Sequence, residues 1–226
     1  RHIMADGLAR MYGDAGGRDP NVMYYITVYN EPIHQPAEPA GLDVEGVVKG
    51  IYKLDGHTGS GGPKAQLLAS GVGVPWAREA RRLLAEDWGV DAAVWSVTSW
   101  SELRRDGLEA DEHNFLHPEA EPRTPFVAER LAGAEGPFVA SSDFDKMVPD
   151  QIRQWVPGDY HVLGADGFGF SDTRRWYHID AESMVVRTLA ALASRGQVAP
   201  SAVRAAIDKY DLFNCAVPGS DHAGED

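Results

Sequence analysis

AQLLASGVGVPWAREARRLLAEDWGVDAAVWSV, residues 65 to 97, decides the fold. Its first piece, AQLLASG (65 to 71), is a continuous apolar run of the kind buried on both faces of a sheet. VPWAREARRLLAEDWG (74 to 89) sets Trp76, Ala80, Leu83, Leu84 and Trp88 on one stripe at helical spacing. DAAVWSV (91 to 97) is a second short apolar strand. Strand, helix and strand in that order imply two parallel strands joined by a crossover helix.

The same alternation continues outward. KGIYKL (49 to 54) reads as a strand, and HTGSGGPK (57 to 64) as a glycine-rich turn. SWSELRRDGLEAD starts a helix at Ser99, with Glu102 three residues on as the second half of a capping box. TPFVAERLAGA is a short helix, and PFVASS (137 to 142) is a strand. FDKMVPDQIRQWV is a helix broken near Pro149, and YHVLGAD (160 to 166) is a strand. DAESMVVRTLAALASRG (180 to 196) is a helix stopped by Gly196, and PSAVRAAIDKYD is the last helix. These elements predict an α/β fold over residues 44 to 212: a three-layer α/β/α sandwich around a mostly parallel sheet. Residues 213 to 226 are expected to form a disordered tail.

Upstream, residues 5 to 13 have a helical apolar pattern. Residues 22 to 29, VMYYITVY, read as a strand from their β-branched and aromatic content. Pro32, Pro36 and Pro39 then exclude both helix and central strand, so a domain boundary is expected there. The organisation expected is a first segment 1–36, a linker 37–43, a domain 44–212 and a tail 213–226.

Bulk properties exclude several classes. The 226 residues carry a net charge of −13, which argues against a nucleic-acid backbone as partner. Arg78, Arg81 and Arg82 sit beside acids on a helix and read as a solvated face. No apolar run approaches the length needed to span a bilayer. One cysteine, Cys215, excludes an internal disulfide and fits a cytoplasmic setting.

Few motifs carry chemistry. GADGFGFSDTR (164 to 174) leaves a strand with three glycines and ends in Ser171, Asp172 and Arg174. It reads as an interface loop or a ligand-edge loop, not as a dinucleotide fingerprint. His113 and His117 are four apart, but Pro118 follows and no third ligand is near, so no metal site is expected. The six Trp residues, at 76, 88, 95, 100, 155 and 176, read as core or interface side chains. YNEPIHQP (29 to 36) places Glu31 and His34 on a proline-stiffened turn. From chemistry alone they are either a general acid–base pair or a turn acid beside an exposed imidazole.

Taken together, NVMYYITVYNEPIHQPAEP, QLLASGVGVPWAREA, WSVTSWSELRRDG, SSDFDKMVPDQIRQWVPGDYHVLGADGFGFSDTR and DAESMVVRTLAALASRG resemble one family in order. It is the homodimeric type of pyruvate dehydrogenase E1 component, most like its actinobacterial branch, and related to transketolase. The resemblance implies that residues 1–36 are the tail end of a pyrimidine-binding domain and 44–212 a transketolase-like C-terminal domain. It implies a parent enzyme that uses thiamine diphosphate and Mg²⁺ to decarboxylate pyruvate and reductively acetylate a lipoyl group on the E2 component. Its partners would be a second copy, the upstream E1 domains and lipoyl-E2.

The family's GDG motif with its downstream metal-ligand Asn has no counterpart here: GDA at 13 to 15 does not qualify, and DGF at 166 to 168 lies in the wrong domain. The activating Glu is expected upstream of Arg1. This piece alone is therefore expected to bind neither cofactor and to be inactive, serving dimerisation and the active-site edge. The resemblance carries His34 over as a residue near coenzyme and substrate, with Glu31 as an orienting acid at the same mouth. Between SDTR and DAES the chain reads only RWYHI, shorter than the family pattern. The rival reading is a free-standing, non-catalytic scaffold subunit of a split transketolase-like enzyme.

Overall fold

The computed structural model describes residues 1–13, 16, 18–29, 36–167 and 173–213. They divide into two compact units, residues 1–48 and 49–226.

In the first unit, helix α1 (His2–Tyr12) buries Gly7. A Cβ on Gly7 would lie 3.2 Å from the Tyr24 ring, so the small residue lets the ring sit against the helix. The Tyr24 hydroxyl donates to Asp6 at 2.9 Å, and Arg18 pairs with the same carboxylate at 2.8 Å. The Arg18 hydrogen bond holds the Asp6 carboxyl below its usual range. Helix α2 (Val44–Lys49) follows, with Asp43 accepting from the Gly46 amide at 2.9 Å.

The strand expected over 22–29 does not form: residues 21–29 have no regular structure. Met23, Tyr25 and Val28 are 88%, 87% and 85% exposed. β-Propensity expresses a fit to a half-buried pleated surface, and these described residues pair with no neighbouring strand.

The second unit is built on five strands: β1 (Ile51–Asp55), β2 (Lys64–Ala69), β3 (Asp91–Val97), β4 (Phe138–Ser141) and β5 (Tyr160–Leu163). Their order is β1-β3-β2-β4-β5. β2 runs parallel to β3 and β4, and β4 parallel to β5. β1 is antiparallel to β3, with a bulge between Lys53 and Asp55. The sheet is thus mostly parallel with one reversed edge strand.

The helices are α3 (Gly73–Trp88), α4 (Trp100–Leu116), α5 (Phe126–Leu131), α6 (Met147–Asp150), α7 (Thr173–Trp176), α8 (Ala181–Ser194) and α9 (Pro200–Lys209). A 3₁₀ turn at Arg153–Trp155 follows α6, which is the break expected near Pro149. The Ser99 hydroxyl accepts from the Glu102 amide at 3.1 Å, as the capping box requires, and Asp180 caps α8 through the Ser183 amide.

Alternation along β2 assigns the layers. Leu67 and Ala69 point into one core with Ala77, Ala80 and Leu84 of α3 and Met184, Leu189 and Leu192 of α8. Leu68 points into the other, with Trp95, Trp100, Leu103, Phe126, Phe138 and Trp155. Helices therefore cover both faces, and the three-layer α/β/α sandwich holds. On α3 the fully buried line is Ala77, Ala80 and Leu84, while Trp76, Leu83 and Trp88 flank it half-buried. Each fully buried Leu contributes about 1.5–3 kcal/mol. Trp95, Trp100 and Trp155 are core residues, whereas Trp176 is 44% exposed.

Candidate functional site

Open α/β sheets bind ligands beyond the carboxyl ends of their parallel strands, at the point where strand order reverses. Here the chain moves from β2 to β3 on one side and places β4 on the other. The switch point is therefore between the ends of β2 and β4, where Ser70, Ser141 and Ser142 stand.

The Ser70 and Ser142 hydroxyls approach to 3.5 Å. Ser142 also accepts from the Phe144 amide at 3.1 Å, while its own amide donates to the Leu163 carbonyl at 3.1 Å. Ser141 is fully buried and donates to the Ile179 carbonyl at 3.1 Å, which ties β4 to the start of α8. Among the described residues none of the three hydroxyls is hydrogen-bonded to a histidine. The edge thus offers neutral donors and acceptors, not an activated nucleophile.

Beyond the hydroxyls lies a charged rim. Lys146 Nζ pairs with Asp166 at 2.8 Å, and the Lys146 amide donates to the same carboxylate at 2.9 Å. Both contacts hold the Asp166 carboxyl below its usual range. A Cβ on Gly164 would fall 2.6 Å from the Lys146 amide nitrogen, so only glycine allows these two segments to cross. Arg174 lies over the Trp76 ring at 4.9 Å, and Arg175 pairs with Asp180 at 2.6 Å and Glu182 at 3.2 Å. Arg174 and Arg175, at the junction of SDTR and the short RWYHI segment, thus bring two cations to the starts of α3 and α8. The RWYHI segment bends at His178, whose φ of 54° is unusual for a non-glycine residue.

The residues singled out from sequence fare differently. Glu31 and His34 lie outside the described residues, as do Ser171, Asp172 and Cys215. Of the 164–174 loop, Gly164 to Gly167 and the Arg174 guanidinium belong to the edge just described. His113 and His117 stack ring on ring at 4.6 Å, and His117 Nδ1 lies 3.0 Å from the His113 carbonyl, as in a helix C-terminal contact. Among the described residues no group of three or more His, Cys, Asp and Glu side chains could hold a metal ion. None of their helices is long and apolar enough to cross a membrane.

A second polar centre was not singled out from the sequence. At the opposite, amino edge, Asp91 is only 2% exposed. It accepts from the Thr58 amide at 2.6 Å, the Thr58 hydroxyl at 2.8 Å and the Gly59 amide at 3.0 Å. Burial alone would raise this carboxyl, but those donors and His57 more than offset it and hold it below the usual range. The signal available in the sequence was an acid opening a largely apolar strand, with a glycine-rich turn upstream that carries one Thr.

Comparisons place this architecture. The sequence pattern described as "Transketolase-like TK C-terminal domain" matches residues 50–178. The pyruvate dehydrogenase E1 component of Mycolicibacterium smegmatis is 48% identical over 98% of this chain and 24% of its own length. That of Corynebacterium glutamicum is 50% identical over 93% of this chain and 23% of its own. The chain thus spans about a quarter of the length of these relatives. Among solved structures, transketolase from Leishmania mexicana covers 69% of the chain and 20% of its own, at 19% identity and a TM-score of 0.44.

Proposed function

The chain belongs to the transketolase-like C-terminal domain family, and from that premise we propose that it is the C-terminal portion of a pyruvate dehydrogenase E1 component. The observation that carries this reading is 48% identity to such a component over 98% of the chain. In this reading the parent is an oxidoreductase that decarboxylates pyruvate and reductively acetylates lipoyl-E2 with thiamine diphosphate and Mg²⁺ in the cytoplasm. The cofactor supplies the electron sink, and the protein supplies orientation and charge.

Among the described residues no three His, Cys, Asp or Glu side chains gather as metal ligands, and in this reading the Mg²⁺ ligands belong to the upstream E1 domains. The chain's own part is architectural. The sandwich supports a homodimer and the upstream E1 domains, and residues 1–36 end the domain that faces the coenzyme. His34 and Glu31 are assigned to the mouth of that site, His34 near the reacting groups and Glu31 orienting it. The piece alone is inactive and waits for the rest of E1.

Isothermal calorimetry of thiamine diphosphate with Mg²⁺ against the 226-residue chain tests the cofactor claim, and no saturable heat is expected. Tight Mg²⁺-dependent binding to this chain alone would sink it. Pyruvate-dependent lipoyl acetylation by a chain extended upstream to full E1 length tests the activity. There His34→Ala is expected to lower kcat by roughly a hundredfold, the low end of what a positioned acid–base group contributes. An unchanged kcat would remove His34 from the site.

A further inference from the structure

At the amino edge of the sheet, Lys53, His57, Lys64, Gln66, Trp95 and Arg130 line a cavity of about 130 Å³. That is room for about four water molecules. Three of those side chains are cationic, in a chain whose net charge is −13. The carboxylate beside them belongs to Glu135, which pairs with Lys64 at 2.6 Å. Glu135 and Lys64 also line an adjoining cavity of about 440 Å³, together with Gly136, Pro157 and Arg195. The ion pair therefore stands as a partition between two basins.

The walls are fixed from behind. Gln66 is 1% exposed and accepts from Trp95 Nε1 at 2.8 Å. Its amide nitrogen donates to the Glu135 carbonyl at 2.8 Å and faces His57 Nε2 at 3.2 Å. His57 Nδ1 lies 2.9 Å from the Asp91 carbonyl, which fixes the ring between Asp91 and Gln66. The imidazole is thus a held wall, and Lys53, Lys64 and Arg130 are the cationic side chains lining the cavity. The Lys53 ammonium lies 4.7 Å from the Trp95 ring centroid, and among the described residues no carboxylate pairs with it. Gly136 holds the partition in place. Its φ is +92°, and a Cβ there would fall 1.8 Å from the Lys64 carbonyl oxygen, so the Glu135 turn is pressed against β2.

A solvated Lys–Glu pair on a flat surface signifies nothing. This pair differs because its carboxylate sits where a prebuilt concave wall brings three cations together. Glu135 is placed as an internal stand-in for an anion. We propose that this cavity binds a small phosphate-bearing molecule, whose oxyanion replaces the Glu135 carboxylate against Lys64 and Lys53 and whose organic substituent enters the adjoining basin. The inference stands independently of the reading as a dehydrogenase component.

The test is calorimetry on the 226-residue chain at constant ionic strength. Inorganic phosphate, glycerol phosphate and the dicarboxylate malonate are the three probes. Glycerol phosphate is expected to bind saturably and more tightly than malonate, and in NMR spectra of the same chain the backbone amide shifts should be confined to the lining segments around Lys53, His57 to Gln66, Trp95 and Arg130 to Gly136. Lys64→Gln and Lys53→Gln should each weaken it about tenfold or more, since each removes a charge-assisted contact. Glu135→Gln should tighten it by removing the competing carboxylate. Circular dichroism verifies that these exposed substitutions keep the fold. Heat that tracks ionic strength without saturating would overturn the proposal, as would affinity indifferent to Lys53 and Lys64 or lowered by Glu135→Gln. Equal binding of malonate would overturn the assignment to phosphate.

Discussion

The two edges of the sheet are finished with different chemistry. At the amino edge a buried carboxylate, Asp91, gathers two amides and a hydroxyl from the turn at Thr58 and Gly59. At the carboxyl edge β2 and β4 end in neutral serines, and the ion pair nearest them, Lys146 with Asp166, has both side chains about half exposed. Hydrogen bonds to a buried charge are worth roughly 1.5–3 kcal/mol, against about 1 for a neutral pair and still less for an exposed ion pair. The comparison teaches that this domain spends its strong polar contacts on clamping a turn to the edge away from the strand ends where ligands of such sheets sit. The carboxyl edge is left with weaker contacts that a partner or ligand can rearrange.

The largest effect should come from breaking the clamp. Asp91→Ala leaves the Thr58 and Gly59 amides without their acceptor and is expected to cost about 2–4 kcal/mol in guanidinium unfolding. A loss below about 1 kcal/mol would mean that the amino edge is held by something else. The same residue gives a pH signature. Its folded carboxyl is held below the usual range, whereas the unfolded chain titrates near about 3.9. The contribution is therefore complete above the unfolded value and is lost as pH falls through the folded one. The stability gap between wild type and Asp91→Asn should be constant from pH 7 down to about 5 and shrink below about 4. A gap that widens on acidification would reverse the assignment.

The serine edge should yield less. Ser141→Ala removes a single neutral hydrogen bond and leaves the Ile179 carbonyl without that donor. About 1 kcal/mol is expected in the same measurement. A loss equal to that of Asp91→Ala would erase the contrast between the edges.

These two edges were unequally legible in the sequence. The β2–α3–β3 unit could be read because residues 65–69 bury both faces, and a doubly apolar strand beside an amphipathic helix has few other solutions. The Ser99–Glu102 cap could be read because its partners are three residues apart. The reversed direction of β1 could not, since five residues with one apolar face carry no sign of which way they run. The Asp91 clamp was hidden because its donors lie 32 and 33 residues upstream in a stretch that looked like an ordinary glycine-rich turn. VMYYITVY misled in the other direction: its composition suits a strand, but a strand exists only with a neighbour to pair with. For Glu31 and His34 only the family resemblance assigned a role, because a carboxylate and an imidazole three residues apart specify no geometry of their own.

The smallest effect sharpens the comparison most. Asp166→Asn removes the charge facing Lys146 while keeping an oxygen for the Lys146 amide. Both side chains are exposed, so water already solvates the pair, and under about 0.5 kcal/mol should be lost at low salt. At high salt even that should vanish, because exposed charges are screened. The Asp91→Asn loss should persist at the same salt, since its donors are fixed and its carboxylate is buried. Parallel unfolding curves of the two variants at low and high ionic strength check this directly. If both losses faded together, the amino-edge carboxylate would be acting as a solvated charge, and the division of the sheet into a clamped edge and an adaptable one would fall.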